Sequence, residues 1–146
     1  MQVRLAREDD LDNVVALLEQ FSIDDELADV NWQDSRRSYK EILTGNRGDI
    51  LVAESDHQLA GLVTLSYALV LRFGGEYALI EDFIVCKKYR GKGVGGLLLD
   101  EVISLAKRKG CRELQVNGAS QSGAPVYLKK GLHHVGTHLK LTLVCD

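Results

Sequence analysis

The apolar positions of this chain fall into two kinds of pattern. Leu11, Val14, Val15, Leu18 and Phe21 recur at helical spacing behind Glu8, Asp9 and Asp10, whose carboxylates can act as N-caps, and Gln2 to Leu5 ahead of them reads as a short strand. From Ser22 to Ser38 the chain is acidic and irregular around Trp32, and a second helical pattern then runs through Tyr39, Ile42 and Leu43. After the turn Gly45-Asn-Arg-Gly48, the segments Asp49 to Glu54 and Gln58 to Leu71 read as strands of a hairpin joined by Ser55-Asp56-His57. Arg72-Phe-Gly-Gly75 turns the chain into a central strand, Ala78 to Val85, so three neighbouring antiparallel strands are expected before Cys86.

Beyond residue 93, Val94, Leu98, Val102 and Ala106 share one helical stripe, and Gly110 supplies a C-terminal stop after Lys107-Arg-Lys109. Cys111 to Val116 is the next strand. It follows a strand–helix unit, so the right-handed crossover rule makes it parallel to the central strand. Asn117 to Ala124 is polar and glycine-rich, Pro125 suits the start of a short helix carrying Tyr127, and Leu132 to Val144 can form a last hairpin about Gly136-Thr137.

Composition narrows the class. At 146 residues, 45% hydrophobic and 27% charged, the chain suits one globular domain spanning 1–146. A net charge of −3 gives no general attraction to nucleic acid or to an anionic membrane. No signal peptide or transmembrane run is read, which makes a cytoplasmic location the default. Three cysteines without Cys-x-x-Cys spacing suggest reduced thiols. His133-His134 and His138 lack a third ligand at a fitting spacing, so they are read as surface strand residues and no metal is expected.

The strongest chemical signal lies between the central strand and the following helix, in Lys87-Lys-Tyr-Arg-Gly-Lys-Gly-Val-Gly-Gly96. Glycines at 91, 93, 95 and 96 let backbone N–H groups converge without Cβ atoms in the way, at the positive end of a helix, with Arg90 and Lys92 adding mobile charge. That is an anion site. A P-loop would need a Ser or Thr after the glycines to hold magnesium, and none follows. Gly91-x-Gly93-x-x-Gly96 meets the bare dinucleotide pattern, but about 20 residues on stands Gln115-Val116-Asn117 rather than the ribose-binding carboxylate.

Arg90-Gly-Lys-Gly-Val-Gly95 resembles the Arg/Gln-x-x-Gly-x-Gly/Ala motif of the GNAT N-acetyltransferases, whose loop holds the pyrophosphate of acetyl-coenzyme A. The resemblance extends to Val3 to Asp10, to the central strand Ile80 to Val85, and to Tyr127-Leu-Lys-Lys-Gly-Leu132, which is similar to a closing Tyr-x-x-x-Gly-Phe element. It implies a GNAT-type α/β (α+β) fold: a mixed, mostly antiparallel sheet of six to seven strands flanked by about four helices. It also implies acetyl-CoA as co-substrate, direct transfer to a primary amine in a ternary complex, and a homodimer. Arg90, Gly91, Lys92, Gly93, Val94, Gly95 and Gly96 would hold the diphosphate, Phe83, Ile84 and Val85 the acetyl and pantetheine side. The family's Asn-x-x-Ala frame is replaced by Ser120 and Gly123, with Asn117 three residues earlier as the remaining pantetheine contact.

Amine acetylation needs a group that takes the ammonium proton and a donor for the departing thiolate. Glu81 and Asp82 sit side by side in an apolar strand, where alternation would send them to opposite faces, one into the cleft. By resemblance to diamine acetyltransferases with a Leu-Glu-Asp-type strand, Glu81 is the expected base and Asp82 the second choice. Tyr127 is the expected acid, on the same side of the sheet as the base. The acidic stretch near Asp24-Asp-Glu26 would suit a polyamine-like or lysine-type acceptor, with an aminoglycoside or protein N-terminus next. A non-catalytic acyl-CoA-binding module is the alternative, and an NAD-binding enzyme a third reading.

Overall fold

A computed structural model describes residues 1–22, 31–136, 138–139, 141 and 143. The chain opens with β1 (Gln2–Leu5) and α1 (Leu11–Ser22), and after α2 (Trp32–Thr44) it forms β2 (Gly48–Ser55), β3 (Gln58–Val70) and β4 (Gly75–Val85). Next come α3 (Val94–Arg108), β5 (Leu114–Val116) and α4 (Ala124–Lys129). One sheet has the order β1-β2-β3-β4-β5, antiparallel throughout except that β5 runs parallel to β4, as the crossover rule requires.

Local chemistry accounts for most boundaries. Asp56 and His57 both adopt left-handed backbone (φ 49° and 59°), the geometry of a two-residue hairpin turn whose twist matches its strands. Asn31 accepts the Asp34 N–H and starts α2 at Trp32, so Trp32 to Ser38, expected to be irregular, is helical. The acidic residues at 24–26 and 29 lie outside the described residues. Pro125 occupies the first turn of α4, where its missing N–H costs nothing.

Two cores flank the sheet. On one face α3 buries Val94, Leu98, Leu99 and Val102 against Leu51, Val63, Leu65 and Ile80, with Tyr127 completing the cluster. On the other, α1 and α2 bury Val14, Leu17 and Tyr39 against Ile50, Val52, Leu62 and Ile84. At the N-terminal edge Arg4 grips buried Asp10 with two hydrogen bonds (2.7 and 3.0 Å) and reaches Glu54 at 2.8 Å. The Arg4 contact is the main reason the Asp10 carboxyl sits below its usual range.

The sheet has five strands among the described residues rather than six to seven, and the difference is the expected closing hairpin. No described residue from Leu132 to Leu143 is in a strand, and Thr137, Lys140, Thr142 and Val144 lie outside the described residues. Val135, Leu139, Leu141 and Leu143 are 76% to 91% exposed, so their apolar pattern has no face to bury against. The histidines expected on surface strands are therefore not on strands: His133, His134 and His138 line a cavity of about 800 Å³ beside β5 and α4. Strand β5 is also shorter than the expected Cys111 to Val116. No helix among the described residues is long and apolar enough to cross a membrane.

Candidate active site

The glycine loop emerges from β4 through a 3-10 turn at Lys87–Tyr89 and enters α3 at Gly93. Gly91 and Gly93 have φ of 73° and 81°, a region that costs an L side chain, and nothing lies within 4 Å of where their Cβ atoms would stand. Among the described residues, none of the N–H groups of Gly91, Lys92, Gly93, Val94, Gly95 and Gly96 donates to a protein acceptor, and the first to do so is Leu97, bonded to the Gly93 carbonyl at 3.1 Å. The helix start has no side-chain cap. These donors are left for an outside acceptor, and an anion bound there meets both N–H groups and the helix dipole. Arg90 is anchored by its Nε to the Val85 carbonyl (3.1 Å), and Lys92 lies 5.5 Å from the Tyr89 ring centre.

Upstream, β4 parts from β5. The two pair only from Ala78–Leu114 to Ile80–Val116, while β4 continues to Val85. Asp82 N–H and Cys86 N–H point toward β3, to the Thr64 hydroxyl and the Ala60 carbonyl. By alternation the Ile84 N–H points the same way, and those of Phe83 and Val85 face the edge that β5 has left. Of the three residues expected at the acyl contact, Phe83 and Val85 thus offer backbone donors there, whereas Ile84 is buried in the α1/α2 core. Asn117, just past β5, lines the 800 Å³ cavity beside β5 and α4 together with Tyr127.

The carboxylates do not obey strand alternation. Thr64 is opposite Asp82 and Leu65 opposite Ile80, so Glu81 is an extra residue, a bulge in β4. Both acids consequently face α1 and α2, where Ser66 donates to Glu81 at 2.6 Å and Thr64 donates to Asp82. The expectation that they point to opposite faces is corrected by this bulge. They line a cavity of about 450 Å³ walled by Val14, Val15, Leu18 and Ile42, with Arg47 also on its lining. Burial is the main cause raising the Asp82 pKa, opposed by the Thr64 hydrogen bond and reinforced by the neighbouring charge of Glu81.

Tyr127 belongs to the other side. It packs on Phe83, ring centres 5.4 Å apart, within the α3 core, so base and acid do not share a face as expected. The unpaired edge of β4 lies between them. Burial pushes the Tyr127 pKa up to about 12, and its hydroxyl bonds no described residue. Thr64, Ser66 and Arg47 were not foreseen; two hydroxyls spaced by two in the otherwise apolar β3 were the available signal for the first pair.

Comparisons with known proteins find the same fold. A glucosamine 6-phosphate N-acetyltransferase of Trypanosoma brucei brucei is 27% identical, over 98% of this chain and 96% of the relative. An integron cassette protein from the mobile metagenome of Cole Harbour salt marsh superposes with a TM-score of 0.85 at 25% identity, covering 99% of this chain and 91% of that one. A predicted acetyltransferase of Clostridium acetobutylicum, solved with acetyl-CoA, gives 0.82 at 21% identity over 97% and 95%. The family model for the acetyltransferase (GNAT) family matches residues 13–131, and the chain belongs to that family.

Proposed function

We propose that the chain transfers the acetyl group of acetyl-CoA to a small primary amine by direct attack in a ternary complex. The run of unpaired N–H groups from Gly91 to Gly96 carries this reading, because it fits a diphosphate, and at Gly91 and Gly93 the loop is clear of other side chains. Arg90 and Lys92 add charge to the same spot, and the solved relative with acetyl-CoA supports the assignment. Phe83 and Val85 N–H groups on the open edge of β4 then hold the pantetheine side and polarise the thioester carbonyl. Asn117, just past β5, supplies a further contact.

An amine in the 450 Å³ cavity loses its proton to Glu81, directly or through water. Glu81 is the exposed member of the pair, and Asp82, held by Thr64, supports it from below. The nitrogen forms its bond to the acetyl carbon as the carbon–sulfur bond breaks, and Tyr127 gives the sulfur a proton from the far side of β4. The second proton that the nitrogen sheds passes to solvent, which also reprotonates the phenolate and takes the proton held by Glu81. With a pKa near 12 the phenol keeps its proton at any physiological pH.

Incubation with acetyl-CoA and a panel of amines, read by mass, tests the reading. An acetylated amine is the expected result. Tight acetyl-CoA binding with no product from any amine overturns it, as does a thermal shift with NAD that acetyl-CoA cannot match.

A further inference from the structure

The acceptor cavity holds one charged group without a task. Arg47 stands at the start of β2, where its carbonyl accepts the Tyr67 N–H at 2.9 Å, and its exposed side chain lines the cavity. Each nearby acid is engaged elsewhere: Glu41 with Arg37 (3.4 Å), Asp49 with Lys109 and Tyr67, Glu81 with Ser66, Asp82 with Thr64. The Arg47 guanidinium forms no ion pair or side-chain hydrogen bond with any described residue. A planar, permanently charged fork left open beside a cavity is matched to a carboxylate or phosphate.

Resting on the acetyltransferase reading, we propose that Arg47 anchors an anionic group on the acceptor, which is a small primary amine carrying a phosphate or carboxylate several bonds from its nitrogen. The spacing follows from the sheet. Arg47 directly precedes β2 and pairs with Tyr67 of β3, which stands opposite Ala78 of β4. Its backbone is thus two strand spacings, about 10 Å, across the sheet from β4, and Glu81 lies three residues further along that strand. That separation suits an acceptor whose anion stands well away from its nitrogen. The apolar wall of Val14, Val15, Leu18 and Ile42 leaves room for an uncharged body between the two ends. This redirects the acceptor away from the polyamine class, which has no anion for Arg47.

Matched pairs decide it: glucosamine 6-phosphate against glucosamine, and 4-aminobutyrate against butylamine, each with saturating acetyl-CoA and detection of released thiol. In at least one pair kcat/KM favours the anionic member by about 10- to 100-fold, and the pair that shows it identifies phosphate or carboxylate. In Arg47→Ala the ratio falls to near one through KM, and Arg47→Lys restores part of it because charge returns without the fork. The side chain makes no described contact, so both variants fold, which acetyl-CoA binding by thermal shift verifies. Transfer with ratios near one in the wild type, or a ratio unmoved in Arg47→Ala, overturns the assignment alone. Transfer to none of the four while another amine of the wider panel is acetylated overturns this assignment alone, whereas acetyl-CoA binding with no product from any amine overturns the acetyltransferase reading and this assignment with it.

Discussion

Thr64 and Asp82 hold each other twice: the threonine hydroxyl donates to the Asp82 carboxylate, and its oxygen accepts the Asp82 N–H at 3.1 Å. The side chain thereby takes the place of a ladder carbonyl at the point where the register of β3 and β4 slips. This clasp fixes Asp82 in a half-buried position beside Glu81, and the pair of acids shares one cavity.

Asp82 should make the protein less stable as pH rises. Its folded pKa is raised above the unfolded value of 3.8, so its stabilising contribution is complete below 3.8 and is lost as pH climbs through the folded value. Asn keeps the Thr64 bond and never ionises. Asp82→Asn should therefore melt a few degrees above wild type at pH 7 to 8, with the gap closing toward pH 4. Thermal melts across that range would show it, and a gap that widens toward acid would contradict it.

Glu81→Gln should lower kcat by about 10²- to 10⁴-fold while leaving folding and acetyl-CoA affinity in place. The side chain is exposed and bonds only Ser66 among the described residues, so its loss has little structural effect. Equal rates for variant and wild type on the same amine would remove Glu81 from the proton-transfer role.

Tyr127→Phe isolates the phenol. Its ring contact with Phe83 survives and its hydroxyl has no described partner to abandon, so the stability should stay within about 0.5 kcal/mol of wild type. The rate should fall by roughly 10²-fold. Lost stability with an unchanged rate would make Tyr127 a packing residue.

Gly93→Ala should cost about 1–2 kcal/mol of stability because its φ of 81° is costly for alanine. Gly74, at φ 59° before β4, provides the comparison. Both substitutions should lower the melting temperature, but only Gly93→Ala should weaken acetyl-CoA, by tenfold or more in calorimetry. Equal acetyl-CoA affinity in both would place the ligand elsewhere.

The hairpin, the crossover, the helix stripes and the glycine loop were legible because each is written in neighbouring residues: Asp56-His57, Val94 to Ala106, Gly91 to Gly96. The two acids were legible as residues but not as directions. Their shared face depends on a slip between β3 and β4 that only the partner strand decides, and Thr64 is its visible trace. Arg47 was hidden for the same reason, since its role comes from standing two strands from Glu81. Leu139, Leu141 and Leu143 alternate like a strand, yet the alternation states only what could pair, not that a partner face is offered.

The bulge at Glu81 gives the sheet a residue it does not need. Without position 81, Ile80 and Asp82 would follow one another in regular register with Leu65 and Thr64, and everything downstream would keep its face. A one-residue deletion there should yield an intact, uninterrupted β4 that still presents the glycine loop, so scaffold and chemistry are separable at a single codon.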